Sequence, residues 1–498
     1  MSDPRPNILL LMCDQMRWDA MACAGNQHIK TPNLDRLASR GVRFTNAFTP
    51  NPICVPARAS LTTGCYSHKC TGNKANQGTI KDEFPKLGEE FVKRGYKTYC
   101  VGKLHYNPYV PPGEPRTTHG LEVVELMESG RYLRAHDPKH ELRGLEEYYD
   151  YLDDVGWKGY VRAHGLGNND VFPATSALPA EHTVDAWIAD RSIHHLKEHV
   201  EHSPETPFFL WASSPKPHSA FDPPRPFDAM YSPRDLPSPT GTVDDLADRQ
   251  LYQLYALHYE YQWENFSPQA MKNIRAHYYG LITHMDEEFG RILDHLEETG
   301  LSSNTLIAFV ADHGDMLGDF GLFFKSNHYN GSVRIPYMLS WPGHLPEGET
   351  SEELVGLQDI LPTFMAATGE ALETDVDGID LLPLLKGKVA GREAFVSYTL
   401  GPGQQQMMIC DGRWKYIYHE SGGVEELYDQ QSDIRELENL VEKEAHHERK
   451  TDLRRRLLNW CQENEDREIL DGDDFVVGTP RDPESIQPTK TQFGRRHY

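Results

Sequence analysis

The sequence predicts an α/β fold: a large mixed, mainly parallel sheet flanked by helices, with a smaller antiparallel sheet towards the C-terminus. Three observations carry this. Short continuous apolar runs, Ile8–Met12, Pro207–Ala212 and Asn304–Val310 among them, read as strands buried on both faces. Longer stretches of helical character, Thr183–His202 and Met271–Thr299, stand between such runs. Near residue 385 the pattern changes to short strands separated by turn signals.

Ile8–Met12 is bounded by polar residues and reads as a buried parallel strand. Thr31 is placed to cap a helix that Pro32 opens and Gly41 stops. Val42–Phe48 alternates as a strand does, Pro85–Arg94 reads as a helix closed by Gly95, and Tyr96–Val101 is the next strand. Residues 106–180 are rich in His, Tyr and Gly with weak periodicity, which predicts an insertion around a site. Met271–Thr299 ends at Gly300, and Asn304–Val310 and Pro336–Trp341 follow as strands. The small sheet is expected from Ala394–Tyr398, Gln406–Cys410, Trp414–Tyr418 and Val424–Tyr428, with Asp411-Gly412 as a hairpin turn. Leu440–Asn464 reads as a charged helix. These segments divide the chain into a large α/β domain at 1–385, a small sheet and helix at 386–470, and a polar tail at 471–498. The tail, with Phe475-Val476-Val477 and Phe493–Tyr498, is expected to pack on a neighbouring subunit of a homo-oligomer.

Composition narrows the function. The 498 residues carry a net charge of −25, which argues against sequence-independent binding to nucleic acid or to an anionic membrane. An anionic substrate stays admissible, because a local cluster of cations can reverse the field in a cleft. No stretch has the roughly 18–20 apolar residues of a membrane helix. Met1–Pro6 and the short run behind it do not form a secretory signal, so a cytoplasmic location is expected. Eight cysteines without a CxxC pair are ordinary usage, and Cys13 and Cys100 in apolar runs read as small core residues.

The chemistry sits at strand ends, where ligands gather in parallel sheets. Ile8–Met12 runs into Cys13-Asp14-Gln15, and Asn304–Val310 into Ala311-Asp312-His313-Gly314-Asp315. Carboxylates, an amide oxygen and an imidazole suit a divalent cation, although a strand-end Asp alone is more often a cap. Asn51–Gly64 is a proline-rich loop opening a helix. There Cys54, beside Arg58, is either a thiol of depressed pKa at an anion-binding helix terminus or an ordinary loop cysteine.

Cys54-Val55-Pro56-Ala57-Arg58 followed by Ala59-Ser60-Leu61-Thr62-Thr63-Gly64 resembles the signature of the type I sulfatases of the alkaline phosphatase superfamily. Asp14-Gln15, Gly102-Lys103-Leu104-His105, Pro217-His218, Asp312–Asp315 with Lys325, Ser332–Pro336 and Trp341-Pro342-Gly343 stand in the order of that family. Asp411–Tyr416 is similar to its C-terminal small sheet. The resemblance implies an alkaline phosphatase-like fold and a sulfate ester hydrolase. It further implies that a maturation enzyme reading Cys-x-Pro-x-Arg converts Cys54 to formylglycine. One hydroxyl of the hydrated aldehyde then attacks sulfur, and loss of the other proton expels sulfate. By the same resemblance Asp14, Gln15, Asp312 and His313, together with the modified Cys54, hold the cation. Arg58 stabilises the hydrate, Lys103 and Lys325 neutralise the sulfate oxygens, His218, alone or together with Lys325, protonates the leaving alkoxide, and His105 accepts the second diol proton.

The chain departs from the common pattern in carrying Gln15 where many sulfatases have a second Asp, and His313 where they have Asn or Gln. Asp-Gln with Asp-His resembles the branch of choline sulfatases and phosphonate monoester hydrolases, while Lys103 with His105 looks like sulfatases proper. Calcium is the expected cation and manganese the second choice. A sulfated carbohydrate is the expected substrate, with a choline-type sulfate or a phosphonate or phosphodiester as alternatives. Asn73, Asn76, Gln77, His119 and Arg134 are candidate sugar contacts, and Pro217–Pro226 a rigid pocket wall. The tyrosines and acids of Glu146–Asp154 would have to supply a choline cage.

Overall fold

The computed structural model describes residues 5–246, 263 and 266–480. Its large sheet has eight strands in the order β4-β3-β5-β1-β6-β7-β2-β8. In chain order they are β1 (Asn7–Asp14), β2 (Val42–Phe48), β3 (Lys97–Gly102), β4 (Val123–Leu126), β5 (Phe208–Pro217), β6 (Thr305–Ala311), β7 (Tyr337–Ser340) and β8 (Glu349–Gly356). Every pairing is parallel except those of β7 with β6 and β2. The mixed, mainly parallel sheet is therefore the one the sequence predicts. β1 lies at its centre, with Leu10 between Trp211 of β5 and Ala308 of β6.

The continuous apolar runs follow from cover on both faces. Neighbouring residues of a strand point to opposite faces. Phe209 stacks on Phe91 of α3 (Leu87–Lys93) at 4.3 Å and meets Phe364 of α6 (Ile360–Ala367) at 6.3 Å. Phe208 meets His199 of α4 (Val184–His202) on the other side at 5.4 Å. The long helix α5 (Pro268–Glu298) packs beside α4. α1 (Pro32–Ser39) begins as expected at Pro32, but Thr31 does not cap it. Its hydroxyl takes the Ala22 N–H at 2.9 Å, and the Asp286 carboxylate of α5 accepts from Asn33 and Leu34 at 3.1 and 2.7 Å. A tertiary partner has replaced the local cap.

β4 and β8 were not legible in the sequence. Both are edge strands, and β8 leaves Glu349, Thr350, Glu352 and Glu353 exposed. Gly102, the last residue of β3, has φ +110, and a Cβ there would stand 2.0 Å from the Ser213 carbonyl oxygen. Gly102→Ala is expected to open the β3–β5 seam and to cost at least about 3 kcal/mol in a denaturant titration.

The smaller sheet is antiparallel in the order β12-β11-β10-β9: β9 (Phe395–Thr399), β10 (Gln406–Cys410), β11 (Trp414–His419) and β12 (Val424–Asp429). Asp411-Gly412 makes the β10–β11 turn, with Gly412 at φ +96 and the Asp411 carboxylate accepting from Arg413 and Trp414. The charged helix α7 runs from His447 to Glu463, starting later than Leu440. The amide of Leu440 instead donates to Leu427 of β12 at 2.8 Å, and the chain then turns through Lys443 and a short 3-10 stretch, Glu444–His446, before the helix begins. Residues 471–480 return to the same sheet: Phe475 stacks on Tyr418 at 4.3 Å, and Gly478 exchanges backbone bonds with Glu420 and Gly422. The rest of the tail, including Phe493–Tyr498, lies outside the described residues. No described helix is long and apolar enough to cross a membrane.

Candidate active site

β1 and β6 end side by side, with Cys13 opposite Ala311, so the next residues, Asp14 and Asp312, emerge together. α2 (Cys54–Thr63) points its N-terminus at them. Cys54 is its first residue, and the amide of Val55 is capped by the Asn76 side chain at 3.1 Å. The Cys54 thiol is buried, 3.1 Å from His313 Nε2 and 3.9 Å from Asp14 Oδ1. Burial and the Asp14 carboxylate push its pKa up. Lys103, Lys325 and His313 outweigh them and bring it down to about 7.

Asp14, Cys54, Asp312 and His313 each present a ligand atom within 4.8 Å of the others, all buried. His313 Nδ1 donates to the Gly314 carbonyl at 3.0 Å, which turns Nε2 towards Asp14 at 3.7 Å and Asp312 at 3.6 Å. Two carboxylates and a pre-oriented imidazole in a buried cluster fit a divalent cation. Gln15 lies against this cluster. Its Oε1 accepts from Lys325, and its Nε2 donates to Asp315 at 2.5 Å.

Arg58, fully buried, ties the floor together. Its Nε donates to Asp312 at 2.9 Å, one terminal nitrogen reaches the Lys103 carbonyl at 2.7 Å and Ser213 Oγ at 3.0 Å, and the other stands 4.0 Å from Asp14. Lys103 pairs with Asp14. Against burial, which favours the neutral acid, Lys103, His218, His313 and Arg58 hold the Asp14 carboxyl well below the usual range. On the far side the Lys325 ammonium lies 3.0 Å from His218 Nε2, whose Nδ1 contacts the Ser219 carbonyl at 3.0 Å. Burial and the Lys325 charge hold His218 well below its ordinary pKa. A neutral ring donating from Nδ1 and accepting at Nε2 satisfies both contacts.

A sulfatase family model matches residues 6–370. The chain belongs to the sulfatase family. A second model, the C-terminal region of N-sulphoglucosamine sulphohydrolase, matches residues 318–463 of this sulfatase. An arylsulfatase of Clostridium perfringens is 31% identical over 489 residues, 96% of this chain and 98% of that protein. An N-acetylglucosamine-6-O-sulfatase of Bacteroides thetaiotaomicron is 27% identical over 502 residues, 90% of this chain and 85% of the relative. The phosphonate monoester hydrolase of Agrobacterium radiobacter has the same fold at a TM-score of 0.79 and 25% identity, covering 92% of this chain and 96% of that one. The sulfatase is thus a sulfuric ester hydrolase with the alkaline phosphatase-like architecture.

The structure brings Asp14, Gln15, Cys54, Arg58, Lys103, His218, Asp312, His313 and Lys325 into one cluster. His105 lies beneath it, buried, with burial and the charges of Lys103, Arg131 and Arg58 depressing its pKa. The five expected sugar contacts are not on the cleft wall. Asn76 is taken by the α2 N-terminus, Asn73 Oδ1 by the Ala75 amide at 2.7 Å, and Gln77 is exposed. His119 packs edge-on against Tyr106 at 4.7 Å, and Arg134 is exposed on a short helix. The cleft is walled instead by Ser129, Arg131, Arg162 and Asn168 from the 106–180 insertion, facing His218 and Lys216. The acids of Glu146–Asp154 are engaged elsewhere: Glu146 accepts three backbone amides, and Glu147 pairs with Arg116.

Sequence reasoning missed Glu128 and gave Asp315 no role. Buried Glu128 accepts the amides of Leu104 and His105 at 2.8 Å and the Tyr109 hydroxyl at 3.0 Å, fixing the turn in which His105 has φ +59. Asp315 holds Gln15 and the amides of Leu317 and Phe324. Nothing in the local pattern marks Glu128, since its partners come from the end of another strand.

Proposed function

We propose that this sulfatase hydrolyses a sulfate monoester of a carbohydrate, with Cys54 matured to formylglycine by a separate enzyme and one divalent cation, calcium before manganese. The observation that carries this reading is the buried thiol at a helix N-terminus, facing two carboxylates and an imidazole and flanked by two lysines. The glucosamine-type relative supports a sugar as the alcohol. When present, the formylglycine hydrate supplies the nucleophile and the release step, and the cation supplies Lewis acidity.

The remaining chemistry falls to residues of this chain. Asp14, Asp312 and His313 would hold the cation, with Gln15 beside them oriented by Asp315. Lys103 and Lys325 stabilise charge developing on the sulfate oxygens. Arg58 offsets the two carboxylates and has a buried N–H without a hydrogen-bond partner. Between His218 and Lys325, the neutral ring makes Lys325 the proton-bearing group, and His218 orients it towards the leaving oxygen. His105, buried and neutral, has an unpartnered Nδ1 and is the base of the release step.

Phosphonate or phosphodiester hydrolysis is the second reading, favoured by the Gln15 and His313 positions and by the Agrobacterium radiobacter fold relative. Matched aryl sulfate and aryl phenylphosphonate esters separate the two. The first reading expects higher kcat/KM for the sulfate, and the reverse order would replace it with the second. Chelation is expected to abolish turnover and to lower Tm, since an ion at about a hundred times its Kd adds about 2.7 kcal/mol. Calcium restores both in preference to manganese. Full activity after exhaustive chelation would refute the metal assignment.

A further inference from the structure

The cleft beside Cys54 holds more positive charge than one sulfate ester needs. Lys103 is neutralised by Asp14 and Lys216 by Asp222. Arg131 and Arg162 are not neutralised in this way. Arg131 donates to the Glu128 carbonyl at 2.9 Å, and Arg162 to the Leu166 carbonyl at 3.1 Å and to the Asn168 side-chain oxygen. All three acceptors are neutral, and among the described residues neither guanidinium forms an ion pair. Both are half-buried and both line the cleft. A guanidinium has five N–H donors, so most of theirs remain available.

The acids of the same cleft are already quenched. Asp222 is held by Lys216 and by His164 at 3.0 Å. Asp185 accepts the Ser214 hydroxyl, and burial pushes its pKa up to about 7. The Glu128 carboxylate, whose charge Arg131 feels, is spent on the Leu104 and His105 amides and the Tyr109 hydroxyl. In a chain of net charge −25, a half-buried wall with two uncompensated arginines is an oxyanion receptor.

We propose that Arg131 and Arg162 bind a second oxyanion of the substrate, a carboxylate or another sulfate, carried on the same molecule as the ester that reaches Cys54. The enzyme then selects polyanionic sugars over singly sulfated ones. This inference rests on the sulfate-ester reading, so the test is made by binding as well as by turnover.

The Cys54→Ala chain, which cannot turn substrate over, is titrated calorimetrically with three ligands. These are a glucose monosulfate, the glucuronic acid ester sulfated at the same position, and the matching glucose disulfate. At least one dianion is expected to bind about tenfold to a hundredfold tighter than the monoanion, the range of a charge-assisted arginine contact. Which of the two does so identifies carboxylate or sulfate as the second group. In Arg131→Gln/Arg162→Gln the preference is expected to fall to within about threefold of unity. Equal affinities, a preference that survives the double substitution, or no binding of either dianion at millimolar concentration overturns the proposal. If matured wild-type enzyme hydrolyses neither aryl sulfate nor any of these sugars, the hydrolase reading fails instead, and the binding preference is judged on its own.

Discussion

Cys54→Ala is expected to lower kcat/KM for an aryl sulfate by about four to six orders of magnitude, as loss of a covalent nucleophile does. The fold should survive. The thiol makes no contact that holds α2 in place, because Asn76 caps Val55 and the Ala57 amide bonds the Ile53 carbonyl at 2.9 Å. Circular dichroism and a Tm close to wild type would show this. In active wild-type protein the peptide carrying residue 54 should be lighter than its cysteine form by about 18 Da, as a thiol gives way to an aldehyde. Retained activity in Cys54→Ala, or full wild-type activity with an unmodified thiol, would refute the formylglycine mechanism.

Arg58→Met is expected to be the most destabilising single change in the site, at about 3–5 kcal/mol by chemical denaturation. Arg58, Asp14 and Asp312 are all fully buried. Removing the guanidinium leaves Asp312 without its 2.9 Å partner and frees the Lys103 carbonyl and Ser213 Oγ. Arg58→Lys should recover less than half of the loss. One ammonium cannot reach a carboxylate, a carbonyl and a hydroxyl spread around a planar fork. A divalent cation should raise Tm more in Arg58→Met than in wild type, because it faces two carboxylates that have lost a counter-charge. A variant as stable as wild type would show that the cluster does not depend on this cation.

The sequence was most legible where burial is uniform. Ile8–Met12 is apolar throughout because helices cover both faces, and every one of its residues is fully buried. The edge strand Glu349–Gly356 hid because its first five residues are open to water on both faces and its composition reads as a loop. The cluster of Asp14, Cys54, Lys103 and Asp312 could be named because each follows a strand or opens a helix. Of the cleft wall, the Pro217–Pro226 segment could be named, and His218, Ser219, Ala220, Asp222 and Pro224 do line it, but Ser129, Arg131, Arg162 and Asn168 could not. Arg131 and Arg134 look alike in the sequence, yet Arg131 lines the cleft while Arg134 is exposed on the same short helix. Asn76 was read as a ligand contact when its amide oxygen serves the helix that carries Cys54.

The loop behind Cys54 is fastened from a distance. Asn51 holds the Lys74 carbonyl at 2.8 Å, and the Lys74 ammonium is itself held by Gln405 at 2.6 Å and by Asp466 at 2.5 Å. Asp466 is synthesised roughly 400 residues after Cys54. At roughly 5–20 residues per second, ribosomal synthesis separates them by roughly 20–80 seconds. During that interval the segment around Cys54 has been made but cannot yet be locked. The proposed maturation therefore runs as a race against synthesis of the Asp466 segment. Host strains with little maturation enzyme should accumulate folded, thiol-bearing protein that later supply of the enzyme does not rescue.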